Sequence, residues 1–171
     1  MNKRSISLLV LYFLIFLPGY SQEKSKKELK EEKRLERQQE VDSLVNSRVF
    51  SFEAITAMPQ GGRSVNLATN PNFIRFNPEL MEGRMPFFGR SYSGTSYGGD
   101  GGIEFSAQPD QFEVEKKKDN WLVSVVVKGG NDVFRLNLNV TPSGSSSLTI
   151  TSNNRSTISY NGEIGVTEKK Q

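Results

Sequence analysis

The chain has 171 residues, 22 Lys and Arg against 19 Asp and Glu, and neither histidine nor cysteine. That length fits one domain of ordinary size. The missing residue types exclude disulfides, thiolate or imidazole metal sites, and catalytic triads or pairs built on His or Cys.

Residues 1–21 read as a signal peptide. Lys3 and Arg4 form a charged start, and Ile6 to Leu17 is an apolar run of twelve residues broken only by Ser7. Pro18 and Gly19 end any helix, and the small residues Gly19 and Ser21 suit a cleavage site that leaves Gln22 first. The run is well short of the roughly 20 residues that span a bilayer as a helix. The chain is therefore expected to be exported, to the periplasm or beyond, with no membrane span after cleavage. Removing Lys3 and Arg4 lowers the formal charge from +3 to +1. Phosphate binding needs a basic stripe or a strong net charge, so nucleic acid is not an expected partner.

Residues 22–47 form a charged helical segment. Glu, Lys, Arg, Gln and Leu are good helix formers, and opposite charges at Glu23/Lys27, Lys27/Glu31 and Glu31/Arg34 have helical spacing. Leu29 and Leu35 make no heptad seam, whereas Val41, Leu44 and Val45 make a short apolar stripe. The segment reads as a solvated helix that docks by its last two turns. A spacer or an arm that meets an envelope protein is the alternative.

From Arg48 the hydrophobic period changes to two. Trp121, Val123, Val125 and Val127 share one face of a strand, as do Phe134, Leu136, Leu138 and Val140. Phe50 and Phe52, Ile103 and Phe105, Phe112 and Val114, Leu148 and Ile150, and Ile158 and Tyr160 repeat the pattern. Such segments are half-buried antiparallel strands. Turn sequences separate them at Asp119-Asn120, Gly129-Gly130-Asn131, Pro142-Ser143-Gly144, Asn153-Asn154 and Asn161-Gly162. Residues 48–166 are thus expected to be all-β, an antiparallel eight- or nine-stranded barrel-like or two-sheet fold. Residues 167–171 form a polar tail.

Residues 85–105 (MPFFGRSYSGTSYGGDGGIEF) break the alternation with six glycines and five aromatics. Long loops inside compact domains are usually functional or disordered, and aromatics argue for function. Phe87, Phe88, Tyr92 and Tyr97 suit a small apolar or amphipathic ligand. Arg90, Asp100 and Arg155 are the polar residues that accompany them. Two roles remain open for the arginines: gripping an anionic group, or pinning the loop through backbone carbonyls or Asp100.

Pro86-Phe87-Phe88-Gly89-Arg90, Tyr92, Tyr97 to Ile103 and Phe105 resemble the signature stretch of the family called domain of unknown function 4251. The closing Arg155-Ser156-Thr157-Ile158-Ser159-Tyr160-Asn161-Gly162 continues the resemblance, which covers roughly residues 40 to 165. It implies an exported β protein of Gram-negative bacteria, many of whose relatives are lipoproteins with a charged helix ahead of the domain. This chain departs from them in lacking the cysteine that carries the lipid. The resemblance transfers no catalytic residue.

Other chemistry finds little footing. No phosphate-binding glycine motif occurs, and Gly98 to Gly102 lacks the repeated oxygen ligands of a calcium loop. A glycan hydrolase would need a carboxylate pair. Asp100 and Glu104 are the nearest approach to one, but Glu104 sits on the outward side of its strand. The expectation is a non-enzymatic binding protein with no metal or cofactor, whose loop lines a ligand cavity. The alternative is an envelope interaction module in which the loop plugs the sheet.

Overall fold

The structure, a computed structural model, describes residues 25–92 and 101–167. The signal peptide, the first residues of the charged segment, Tyr97, Asp100 and most of the polar tail lie outside these. Contacts divide the chain into two units, Met1–Glu32 and Lys33–Gln171.

The described part of the first unit begins helix α1 (Lys26–Ser47). Lys27 N–H donates to Ser25 Oγ at 3.2 Å while Ser25 N–H donates to Glu28 Oε2 at 2.9 Å. Two otherwise orphaned donors are thereby satisfied in a reciprocal capping box.

In the second unit the apolar stripe at the end of α1 docks, as its spacing requires. Val41 and Val45 are fully buried and Leu44 packs against the same core. Arg37 fixes the approach, donating Nε to Ser143 O at 3.1 Å and Nη2 to Ile164 O at 3.0 Å. Lys116 and Asp42 add an ion pair at 3.2 Å.

Ten strands follow: β1 (Phe50–Pro59), β2 (Val65–Asn66), β3 (Phe73–Phe76), β4 (Met81–Met85), β5 (Ile103–Ala107), β6 (Gln111–Lys117), β7 (Asn120–Gly129), β8 (Asp132–Val140), β9 (Ser145–Ser152) and β10 (Ile158–Gly165). Nine lie in one sheet of order β5-β4-β3-β1-β10-β9-β8-β7-β6, and β2 pairs onto β1. All pairings are antiparallel. The fold is thus one continuous curled half-barrel rather than two sheets.

Curling brings the far ends of the sheet together without a hydrogen-bonded seam. The Phe105 ring on β5 lies 5.8 Å from that of Phe134 on β8. Phe112 on the edge strand β6 meets Phe76 on β3 edge-on at 6.3 Å, and Phe76 stacks on Phe50 at 4.6 Å. The concave face is filled by large side chains, with Trp121, Tyr160, Phe50, Phe52, Phe76 and Phe134 all under 2% exposed or close to it. Each such side chain contributes about 1.5–3 kcal/mol by leaving water.

One expected turn proves to be strand. Asn161-Gly162 lies inside β10, where Gly162 faces a bulge in β1 between Ala54 and Thr56. A Cβ on Gly162 would overlap the Glu53 carbonyl, so the glycine permits close approach of two backbones rather than a reversal. Asn72 completes the bulge: its Oδ1 accepts from Ala54 N–H at 2.7 Å and its Nδ2 donates to Ala54 O at 3.0 Å. A side-chain amide thus replaces the missing strand partner. Asn153-Asn154 does occur between strands, in the connection from β9 to β10.

Candidate functional site

The segment that leaves β4 at Met85 runs as a strap across the start of β10. Its backbone is held at several points. Tyr160 Oη donates to Pro86 O at 2.8 Å. Arg90 N–H donates to Ser156 Oγ, and Ser156 N–H donates back to Arg90 O, both at 2.9 Å. Tyr92 N–H donates to Asn154 O at 2.8 Å, and Ser91 forms an antiparallel bridge with Arg155. Gly89 is needed because a Cβ there would run into Ser156 Oγ and the Phe87 ring.

Arg155 pins the loop through a backbone carbonyl, one of the two roles the sequence leaves open. Its Nη1 donates to Gly101 O at 2.6 Å, and its guanidinium carbon lies 5.2 Å from the centre of the Phe87 ring. One cation therefore clamps both ends of the loop, through a charge-assisted bond at the β5 side and a cation–π contact at the β4 side. Arg90 is fixed through its backbone, and its side chain is exposed. Tyr160 lies beneath this clamp, fully buried. Burial pushes its phenol well above its ordinary value, with the Arg155 charge pulling the other way. It stays neutral and serves as a donor.

The four aromatics of the loop separate. Phe87 is half-buried under Arg155, whereas Phe88 is 42% and Tyr92 69% exposed; Tyr97 lies outside the described residues, as does Asp100. Sequence reasoning placed Tyr160 in the core but missed its hydroxyl's role, and it missed Ser156 and Asn154 as holders of the strap. The signal for Ser156 was its place in the closing stretch of the family resemblance, and for Asn154 its adjacency to Arg155.

Glu104 lies on the outward side of β5, where the sequence places it. It is exposed and pairs with Arg84 at 3.1 Å. An open hollow of about 700 Å³ over this part of the outer face is lined by Glu82, Arg84, Glu104 and Lys128 among others. Its charges are matched in pairs, Glu82 with Arg75 at 3.2 Å and Lys128 with Asp110 at 3.1 Å. Among the described residues no group of three or more Asp and Glu could hold a metal ion. No helix among them is long and apolar enough to cross a membrane.

A solved structure described as a DUF4251 family protein from Bacteroides eggerthii DSM 20697 is similar to this chain, with a TM-score of 0.58 at 18% identity. The match covers 75% of this chain and 86% of that one, and at this identity it bears on fold alone. Among curated proteins, none matches. The profile of the family described as domain of unknown function (DUF4251) matches residues 32–164, and the chain belongs to that family.

Proposed function

We propose that this protein is a non-enzymatic binding module working outside the cytoplasm, and that it meets an apolar or amphipathic ligand through the strap 86–92. The observation that carries the reading is the pairing of a fixed backbone with outward aromatics. Phe88 and Tyr92 are exposed on a segment whose main chain is bonded to Asn154, Ser156 and Tyr160. Ordering a contact surface in advance lowers the entropy cost of binding. Phe87, under Arg155, belongs to the packing and acts as the plug; Phe88, Tyr92 and the exposed Arg90 are left to face the ligand. Export is supported by the apolar run behind Lys3 and Arg4, and a non-enzymatic role by the absence of His and Cys and the paired state of Glu104.

The test uses 1-N-phenylnaphthylamine, whose emission rises on entering an apolar site. Saturable binding is expected for the native chain, and at least a tenfold weakening for Phe88→Ser/Tyr92→Ser. Trp121, the sole tryptophan and buried, reports in parallel that the variant is folded. Equal binding by both proteins, or no saturable signal from either, would overturn the reading.

A further inference from the structure

The outer face of the sheet opposite the core carries a second feature. Where β7, β8, β9 and β10 lie side by side, Ser124, Asn137, Thr149 and Ser159 stand directly opposite one another in one row. The next row is Leu122, Asn139, Ser147 and Asn161. In a chain with 24% charged residues, these two rows carry no charge. The second row runs into an open hollow of about 410 Å³, which Asn139, Ser145, Ser147 and Asn161 line together with Ile55 and Glu163.

From this geometry we infer that the hollow and its adjoining rows bind a neutral oligosaccharide. Hydroxyls and amides both donate and accept hydrogen bonds, as a sugar hydroxyl does, whereas carboxylates only accept and ammonium groups only donate. Neighbouring strands repeat these groups about every 4.8 Å, a regular array for a chain of hydroxyl-bearing rings. The first row bonds within itself, Ser124 to Asn137 at 3.2 Å and Thr149 to Ser159 at 3.0 Å, but in the second row and the hollow, which Thr56 also lines, much of the capacity is free: among the described residues, Ser145, Ser147 and Thr56 make no side-chain hydrogen bond, Asn139 uses only its oxygen, towards Asn120 at 3.1 Å, and Asn161 donates only to Met58 Sδ at 3.8 Å. Ile55, 48% exposed, supplies an apolar surface for the ring face.

Other occupants fit less well. A polyanion requires cations that the rows lack. A protein partner ordinarily meets a desolvated centre rich in aromatics, Met and Arg, with Ser depleted, and this centre is the reverse. The hollow lies towards the end of β10 away from the strap and shares no residue with it.

The experiment follows amide signals of the labelled chain by nuclear magnetic resonance while neutral hexasaccharides are added, one each of β-linked glucose, α-linked glucose, mannose and N-acetylglucosamine. With ligand raised to the millimolar range, at least one is expected to shift the Asn139 and Asn161 side-chain amides saturably. Ser147→Lys, at an exposed position, should weaken that response tenfold or more with Trp121 emission unchanged. Asn161→Gln, which keeps the amide, should retain part of it. No shift with any hexasaccharide overturns the inference, as does an equal response to an acidic oligogalacturonate, or shifts that Ser147→Lys leaves intact. Loss of 1-N-phenylnaphthylamine binding at the strap leaves this result untouched, so the two readings fail separately.

Discussion

Tyr160→Phe isolates the bond on which the strap rests, because it deletes one oxygen from a fully buried ring. Near neutral pH the variant loses the 2.8 Å bond and leaves Pro86 O without its donor. An unmade buried bond of this kind costs about 1–2 kcal/mol. The phenol's folded pKa is raised, first by burial and against the opposing Arg155 charge. A raised folded pKa means that the tyrosine's stabilising contribution is complete below its unfolded value of about 10 and is lost as pH climbs above it. The loss approaches about 1.4 kcal/mol per pH unit, because only the unfolded chain then releases the proton. Phenylalanine has no proton to release. The difference between native and variant should therefore hold steady up to about pH 9, shrink through pH 10, vanish near pH 11 and then reverse. Lysines and the remaining tyrosines titrate in both proteins and cancel. Urea unfolding followed by Trp121 emission at a series of pH values measures this difference directly. A difference that does not change with pH would refute the claim that burial holds Tyr160 neutral as a donor.

Other substitutions probe the devices around it. Arg155→Ala should remove the clamp at Gly101 and Phe87, costing about 2 kcal/mol locally, so that hydrogen exchange at the Tyr92 and Ser156 amides rises roughly thirtyfold while β8 amides stay protected; unchanged exchange would count against the clamp. Asn72→Ala orphans both polar groups of Ala54 in the bulge, and a fall of about 2 kcal/mol in urea unfolding is expected. Gly162→Ala collides with the Glu53 carbonyl and should prevent soluble folding, whereas Gly130→Ala, at φ 58° with open space around it, should cost only about 1 kcal/mol. Arg37→Ala removes two bonds to carbonyls from a partly exposed side chain. About 1 kcal/mol of loss is expected, seen as faster exchange in the last turns of α1.

What was legible in the sequence was whatever a local period encodes. Alternation marks which residues of β7 and β8 face the core, from Trp121 to Val127 and from Phe134 to Val140, because side chains on a strand point to opposite faces in turn. Nothing local says that β1 lies beside β10, so barrel-like and two-sheet arrangements could not be separated. Asn161-Gly162 has the composition of a turn, yet the same glycine serves a close backbone approach, and only the bulge opposite decides between them. The strap was visible as composition but not as geometry. Phe87 and Phe88 are adjacent and alike, and off a regular strand no period assigns one inward and the other outward. Arg155 was singled out, but its partner is the backbone of Gly101, and a carbonyl has no signature in sequence.

The position of β10 ties these features together. Tyr160, facing inward, reaches the strap, while Ser159 and Asn161, facing outward, complete the polar rows. The strand pairs on one side with β9, its neighbour in sequence, and on the other with β1, the first strand of the domain. That second pairing closes the longest loop in the sheet, and contacts between residues so distant in sequence form late and together. The strap gains its holders, Arg155, Ser156 and Tyr160, only from the segment that makes this closure. The ordered strap therefore exists only in the completed sheet. A fragment ending before β10 would carry the same Phe88 and Tyr92 without presenting them, so the recognition proposed for the strap would be a property of long-range pairing rather than of the loop that bears the aromatics.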